Sequence, residues 1–253
     1  MSKVYVTGDI HGDPTRFSMD NFPEQRELTK DDYVIILGDF GLVWNGSREE
    51  NYWQEWLDNK PFTTLFVCGN HENFDMLNDY PVVDFCGGKA HKIRGNIYHL
   101  MRGYVFEIAD KKFFAFGGAS SHDIQDGILD PYDYINNPGE FRKIYNNWKK
   151  LGKIFRVKGF SWWPQEMPNE DEMNRGIANL ESANWKVDYV ITHCFPQSVA
   201  SAMGFFEPDK LTNYFDIINE KLLFEKWFAG HYHREQQIFT KYIEMYYEIK
   251  RVI

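Results

Sequence analysis

Cysteine is scarce in this chain of 253 residues: Cys68, Cys86 and Cys194 are scattered, and no Cys-x-x-Cys spacing occurs. A sparse, odd count argues against a disulfide framework and fits a reducing cytoplasm. No uninterrupted apolar run approaches the ~20 residues that a membrane helix needs, so no membrane partner is expected. The first residues, MSKVYVTGDIHG, lack a basic stretch ahead of an apolar one, and no signal peptide is expected. A long basic run is also missing. With a formal net charge of −9 and a pI near 5.4, the chain has no general attraction for nucleic acid, and long nucleic acid is not an expected partner. A polyanionic substrate would need locally placed cations, which bound metal ions can supply. Internal repeats and low-complexity segments are absent.

What remains is the composition of a globular protein with a sizeable core: 43% hydrophobic and 26% charged residues. The length suits one large domain, or one domain with a small insertion. Aromatic residues reach 17%, which implies a core rich in rings, with a few left to line a substrate cleft.

Five segments share one pattern, an apolar run that ends in a short polar cluster. Residues 3–7 precede Gly8-Asp9-Ile10-His11, and residues 33–37 precede Gly38-Asp39. Residues 63–68 precede Gly69-Asn70-His71-Glu72, residues 187–192 precede His193, and residues 221–229 precede Gly230-His231-Tyr232-His233. Continuous β-branched and aromatic runs are the pattern of strands buried on both faces. Helices are expected at about 14–22 and 47–59, the second with a capping box formed by Ser47 and Glu50. Strand, helix, strand in that order implies parallel pairing and an α/β layered fold, in which ligands sit beyond the carboxyl ends of the strands. All five polar clusters fall at that end, so one pocket can gather them. The stretch 119–184 reads differently, as loops with helices at about 139–150 and 169–184. It is either a lid or substrate-facing insertion, or a helical layer on the sheet. Residues 236–249 are expected to form two closing strands.

Asp9 and His11 stand two apart on what reads as an extended strand end, so they point the same way, and His231 with His233 repeats the spacing. Asp39, Asn70 and His193 each stand at another strand end. The set offers two carboxylates, four imidazoles and one amide oxygen. That mixture suits borderline divalent ions such as Mn, Fe, Co, Ni or Zn. It is too large for one four-coordinate site and fits two ions, which together can clamp a phosphoryl group. Each residue alone is weak evidence, since Asp-x-His is usually a loop and Gly-Asp usually a turn. Their common order and placement carry the reading. His91 and His99 fall outside every motif and read as ordinary surface or strand histidines.

The series Gly8-Asp9-Ile10-His11-Gly12, Gly38-Asp39, Gly69-Asn70-His71-Glu72, Thr192-His193 and Gly230-His231-Tyr232-His233 resembles the full motif set of the calcineurin-like metallophosphoesterases, in the right order across nearly the whole chain. The resemblance implies a β-sandwich flanked by helices, a single phosphoesterase domain over residues 1–253, and hydrolysis of phosphoesters by a hydroxide bridging two divalent transition-metal ions. Asp9, His11 and His233 would hold the first ion, and Asn70, His193 and His231 the second, with Asp39 bridging. His71 resembles the family histidine that contacts phosphate and helps the leaving group depart. The segments Phe116–Asp123 and Trp162-Trp163-Pro164-Gln165-Glu166 are similar to elements of small bacterial or phage members, and Gly117-Gly118 would let the backbone approach the site closely.

Two departures narrow this. Phosphoprotein phosphatases follow Gly-Asp with Val-Asp-Arg-Gly, whereas here Phe40-Gly41-Leu42-Val43 follows, so the arginine that grips phosphate and the aspartate that orients the histidine are both missing there. A protein phosphatase is thereby disfavoured. Thr192-His193-Cys194-Phe195-Pro196 likewise matches bacterial and phage members better than dinucleoside-polyphosphate hydrolases. Asp123 is the candidate to orient His71 or receive substrate, against a plain loop role. Arg156, Lys158 and Trp162 are candidates to contact a second phosphate or a base, against the view that the tryptophans are core and the cations solvated. The expected substrate is a phosphorylated small molecule or a nucleotide. The alternatives are a phosphodiesterase or nuclease acting on nucleotides or nucleic-acid ends, and a catalytically silent metal-binding scaffold.

Overall fold

The computed structural model describes residues 2–253. Two sheets face each other. The first is built from β1 (Val4–Thr7), β2 (Tyr33–Ile36), β3 (Thr63–Phe66), β4 (Val82–Phe85), β5 (Gly88–Arg94) and β6 (Ile97–Leu100). β1, β2, β3 and β6 run parallel, while β5 and β4 continue that edge antiparallel. The second contains β7 (Tyr104–Ile108), β8 (Lys111–Phe116), and beyond a small parallel pair, β9 (Ile128–Leu129) with β10 (Arg156–Val157), the strands β11 (Tyr189–Thr192), β12 (Lys226–Ala229), β13 (Gln236–Ile238) and β14 (Tyr242–Glu244). Here β8, β11, β12 and β14 are parallel, and β7 and β13 are antiparallel edges. A last strand, β15 (Lys250–Arg251), returns to pair antiparallel with β1 in the first sheet.

Alternation along each strand explains why the apolar runs are continuous. Val4, Val6, Ile35, Leu37, Leu65 and Val67 of the first sheet meet Phe113, Ala115, Ile191 and Phe228 of the second in a central core. The alternate residues Tyr5, Val34, Ile36 and Phe66 face outward and are covered by Phe17, Phe22, Phe62, Trp163 and Leu57 of α1 (Arg48–Asp58). On the other outer face, Phe114, Phe116, Val190 and Trp227 pack under Leu180 and under Leu211, Phe215 and Ile218. The remaining helices, in chain order, are α2 (Phe74–Asn78), α3 (Pro138–Lys150), α4 (Glu170–Ser182), α5 (Gln197–Ala202) and α6 (Lys210–Lys221). Strands buried on both faces favour apolar or β-branched residues at nearly every position, and each fully buried Phe contributes about 1.5–3 kcal/mol. The ring-rich composition is spent on these three layers.

Several local expectations are corrected. No helix spans 14–22. Asp13 accepts from Thr15 N and starts a 3-10 turn at Pro14–Phe17, and a second 3-10 turn begins at Pro23, because the residue before a proline is driven out of helical backbone. Ser47 caps α1 through Glu50 N, but the capping box is half made. Glu50 turns instead to accept from Asn45 N and Gly46 N. The apolar run 221–229 begins in the last turn of α6, and only its second half is strand. Within 236–249, β13 and β14 form the hairpin, and the strand that returns to the first sheet lies further on.

The stretch 119–184 divides. α4 belongs to the helical layer: a full capping box joins Asn169 and Glu172, and Leu180 is buried. The part before it holds β9, β10 and α3, a helix with no buried residue. Rings of its own hold it together, with Trp148 and Tyr145 edge-on to Phe155. His91 and His99 lie in β5 and β6 as a cross-strand pair, Nδ1 to Nδ1 at 3.0 Å, and both are buried. They are strand residues and not surface ones, and burial holds both imidazoles below their ordinary pKa. Among the described residues no helix is long and apolar enough to cross a membrane.

Candidate metal centre

The parallel strands of both sheets end at one edge of the sandwich, and the polar clusters follow those ends. The backbone there is not extended, as the two-residue spacing suggested. His11, Asp39, His231 and His233 all have left-handed φ, between 46° and 72°. Such conformations cost a non-glycine residue about 1–3 kcal/mol and persist only where the surroundings enforce them. They turn Asp9 inward and leave His11 more than a third exposed, yet both side chains reach the same cluster. Two glycines make the crowding possible. Gly38 has φ +102°, and a Cβ there would overlap the His193 ring. A Cβ on Gly230 would overlap the Asp9 carboxylate.

Asp9 lies at the centre. Its Oδ2 is 3.1 Å from His233 Nε2 and 3.8 Å from His11 Nε2, and those two imidazole nitrogens are 3.1 Å apart. Its Oδ1 accepts from His231 N at 3.1 Å. Asp39 Oδ1 is 3.3 Å from His193 Nε2, and Asp39 Oδ2 is 3.8 Å from His11 Nδ1. His193 Nδ1 donates to Leu37 O at 2.6 Å. That bond fixes the tautomer and leaves Nε2, 3.3 Å from Asn70 Oδ1, as the free ring nitrogen. The His231 ring sits 5.0 Å from that of His193. All seven residues read as ligands from the sequence meet here. Two groups, Asp9-His11-His233 and Asp9-Asp39-His193, each bring their donor atoms within 4.8 Å of one another.

Electrostatics couples the set. Burial pushes the His193 imidazole down, but the Asp39 and Asp9 carboxylates outweigh it and raise the pKa to about 9. For Asp39, burial alone would raise the carboxyl, and the His193, His71 and His11 rings together hold it far below the carboxylate range. His231, part-buried beside His193, is driven well below 6.5 by desolvation and by that neighbouring ring. Two buried carboxylates among neutralisable imidazoles and one amide oxygen form a donor set that suits divalent transition metals.

Around the cluster lies a shell that the sequence did not assign. Arg16, buried, donates to Asp9 O at 2.5 Å, Thr7 Oγ1 at 2.8 Å and Tyr246 O at 2.5 Å, pinning the first loop. Glu72 is buried, and its carboxylate accepts from Phe40 N at 2.8 Å and from Gly41 N and Gly69 N at 3.4 Å. Burial and the nearby Asp39 push its pKa to about 8. Arg102, also buried, donates to Gly117 O, Gln165 O and Glu166 O. Gly117 and Gly118 therefore approach Cys68, Arg102 and Glu166 rather than the ligands themselves. Ser121 contacts both Asn70 and Glu166. The Trp-Trp-x-x-Glu spacing was the one signal for Glu166. Nothing in the sequence singled out Arg16 or Arg102.

The candidates for substrate contact separate. Arg156 Nε donates to Asp123 Oδ2 at 2.7 Å, Arg156 Nη2 pairs with the same oxygen, and Nη2 lies 3.3 Å from both ring nitrogens of His71. Asp123, Arg156 and His71 are thus brought together. Lys158 is not. Its Nζ pairs with Asp130 Oδ2 at 2.5 Å, so its charge is already answered. Trp163 is core, donating to Asp75 Oδ2 at 2.8 Å and meeting Trp44 edge-on. Trp162 is half-buried, and neither it nor Trp163 lines the two hollows flanking the cluster. Trp44 and Trp53 do so instead, in a pocket of about 350 Å³ with His11, Leu42 and His71. A pocket of about 700 Å³ opens on the other side, where Phe205, Phe206 and the exposed His122 face His231 and His233. His122 was passed over in the sequence, although its ring lies 5.4 Å from that of His231.

Comparison with known proteins agrees with this geometry. The chain is 26% identical over 212 residues to a lariat debranching enzyme of Schizosaccharomyces pombe, in an alignment covering 78% of this chain and 37% of that relative. It therefore spans little more than a third of the relative's length. The profile of the calcineurin-like phosphoesterase family matches residues 2–235. With the sandwich, the strand-end ligands and this match in hand, the chain belongs to the calcineurin-like phosphoesterases, metal-dependent enzymes that hydrolyse phosphoesters.

Proposed function

We propose that this protein hydrolyses phosphoesters of small molecules or nucleotides with two divalent transition metals, held by Asp9, His11 and His233 on one side and by Asn70, His193 and His231 on the other, with Asp39 between. When bound, such ions supply Lewis acidity toward phosphoryl oxygens and an activated water. The chain's own residues supply the rest. His71 is aimed by its backbone, whose N–H donates to Asp39 Oδ1 at 2.8 Å, so that its ring borders the cluster without being needed as a ligand. Burial and the Arg156 charge keep its pKa below 6.5. Arg156 replaces the phosphate-gripping arginine that Phe40-Gly41-Leu42 lacks: it comes from β10, and Asp123 holds it in place. Asp123 keeps Oδ1 buried and without a partner among the described residues, an acceptor available to a substrate hydroxyl. In this reading the 123–162 unit forms one wall of the site.

The observation that carries the proposal is the gathering of seven donor residues at one sandwich edge with an arginine beside the adjacent histidine. It is tested by loading metal-free protein separately with Mn, Co, Ni and Zn and assaying an aryl phosphate, a nucleoside monophosphate and a bis-aryl phosphate. Metal-restored turnover of at least one ester is expected, and no turnover with any metal refutes it. A phosphodiester reading is favoured by one feature. Pockets flank the cluster on both sides, so each alcohol arm of a diester finds a wall, with Trp44 and Trp53 on one and Phe205 and Phe206 on the other. The debranching relative is consistent with it. The free cysteines Cys68, Cys86 and Cys194 fit a reducing cytoplasm.

Arg156 also sets a pH signature. Its charge depresses the His71 pKa, and Asp123 raises it. Arg156→Ala removes the depressing charge and leaves Asp123 unanswered, so both changes move the His71 pKa upward. The limb of the kcat/KM profile that reports His71 should shift to higher pH, read from rates between pH 5 and pH 9. A profile that keeps its shape and position would separate Arg156 from His71.

A further inference from the structure

Asn70 can ligate a metal through Oδ1 only if its amide is the right way round, and an amide can sit either way unless its neighbours choose. The neighbours form a chain. Asn70 Nδ2 lies 3.3 Å from Ser121 Oγ. Ser121 Oγ lies 2.6 Å from Glu166 Oε2, and Ser121 N donates to Glu166 Oε1 at 3.0 Å. All three residues are at most 7% exposed. The backbone of Gln165 and Glu166 is held in turn by the buried Arg102, through carbonyl contacts of 2.9 and 3.0 Å.

We propose that Glu166 is a positioning residue that selects the ligating orientation of Asn70 through Ser121. The logic is one of donors and acceptors. Both carboxylate oxygens of Glu166 accept from Ser121, so the single hydroxyl proton of Ser121 is committed to Glu166. Ser121 then offers Asn70 only lone pairs. Asn70 must answer with N–H, which turns its oxygen toward His193 Nε2, 3.3 Å away, on the side of the metal cluster. The glutamate of the Trp-Trp-x-x-Glu segment thereby acts on the second metal site without touching it. This rests on the reading of Asn70 as a ligand.

Glu166→Gln tests the logic almost isosterically. The Ser121 backbone N–H must still be accepted, so the glutamine carbonyl faces it and the NH2 faces Ser121 Oγ. The hydroxyl now accepts from the glutamine and sends its proton to Asn70, whose amide turns over and points N–H at the cluster. Affinity for the second ion should fall roughly 10–100-fold, the usual effect of losing a residue that orients a ligand, while the first ion stays. The readouts are bound-metal stoichiometry by elemental analysis, calorimetric titration of metal-free protein with Co(II), and the Co(II) absorption spectrum.

The decisive variant is Glu166→Gln/Asn70→Asp. A carboxylate accepts on both sides and needs no particular orientation, so it takes the Ser121 proton and still faces the metal. Second-ion affinity should recover by at least about tenfold over Glu166→Gln, a coupling within the range for residues in one network. Asn70→Asp with Glu166 intact should give less gain, since its oxygen meets Ser121 lone pairs. Ser121→Ala breaks the chain without disturbing the glutamate and should also weaken the second ion, and thermal melts of the metal-free variants verify folding. Two ions bound to Glu166→Gln with wild-type affinity would overturn the proposal, as would Asn70→Asp changing affinity by the same factor in both backgrounds. If Asn70→Ala itself keeps both ions, the reading of Asn70 as a ligand fails first, and that outcome is distinct from the other two.

Discussion

Asp39→Asn should strip the centre of tight binding at both metal positions and, with it, abolish turnover. The carboxylate stands between the two halves of the cluster, with one oxygen 3.3 Å from His193 Nε2 and the other 3.8 Å from His11 Nδ1. It is also the nearest carboxylate to the buried His193 imidazole, whose pKa the Asp39 and Asp9 carboxylates lift to about 9 against the pull of burial. An amide would offer one acceptor in place of two and would remove the negative charge on which both ions rely. Residues one layer away from a metal commonly cost 10–100-fold in affinity, so losing a shared ligand should exceed about a hundredfold at each position. The same carboxylate accepts the His71 N–H at 2.8 Å, so the variant also loosens the backbone that places His71. Elemental analysis after reconstitution decides the matter. Wild type should carry two ions per chain and Asp39→Asn fewer than one. A wild type that takes one ion or none would sink the two-ion reading, and a variant that keeps two would remove Asp39 from the centre.

The parts of this architecture that could be read in the sequence are those where one pattern recurs. Asp9, Asp39, Asn70 and the histidines at 11, 193, 231 and 233 follow apolar runs; any one of them could be an ordinary turn residue, and it is the recurrence of the pattern at five strand ends that pointed to a single edge. The doubly buried strands were legible from their continuous apolar and β-branched runs: Val4, Tyr5 and Val6 face alternate cores, and the polar residues the strands admit are threonines such as Thr7 and Thr64. What escaped was set by tertiary context. Residues 14–22 carry phenylalanines that look helical, but Asp13 and Pro23 impose turns that no hydrophobic pattern reveals. Left-handed backbone at His11 and His231 is held by partners remote in sequence, Asp39 and Phe40 for the first and Asp9 for the second, so spacing alone implied extended chain. Arg16 and Arg102 look like solvated cations until their carbonyl partners, Asp9 and Tyr246 for one and Gly117 and Glu166 for the other, are brought in by the fold. Lys158 is the converse case, where a cation suggestive in sequence is neutralised by Asp130.

His71→Ala should keep both metals and lose most of the turnover. Its ring nitrogens lie toward Arg156 and not among the closest donor contacts of the cluster, and its ring centroid is 5.5 Å from that of His11. Only its backbone touches Asp39, and alanine preserves that N–H. The donor set that holds the ions is therefore intact in the variant, while the group bordering the 350 Å³ pocket, where a leaving alcohol can sit against Trp44, is gone. A positioned proton donor contributes ~10²–10⁴-fold to such a step, and that is the expected fall in kcat. The substrate identifies the role. An ester with a good leaving group, such as a nitrophenyl phosphate, needs little protonation and should suffer least, whereas an alkyl ester should show the full loss. Steady-state kinetics on the two esters, alongside metal analysis of the same samples, separates the outcomes. Equal losses on both would leave charge stabilisation of the phosphoryl group as the function of His71, and kcat within a few-fold of wild type on both would remove it from the chemistry.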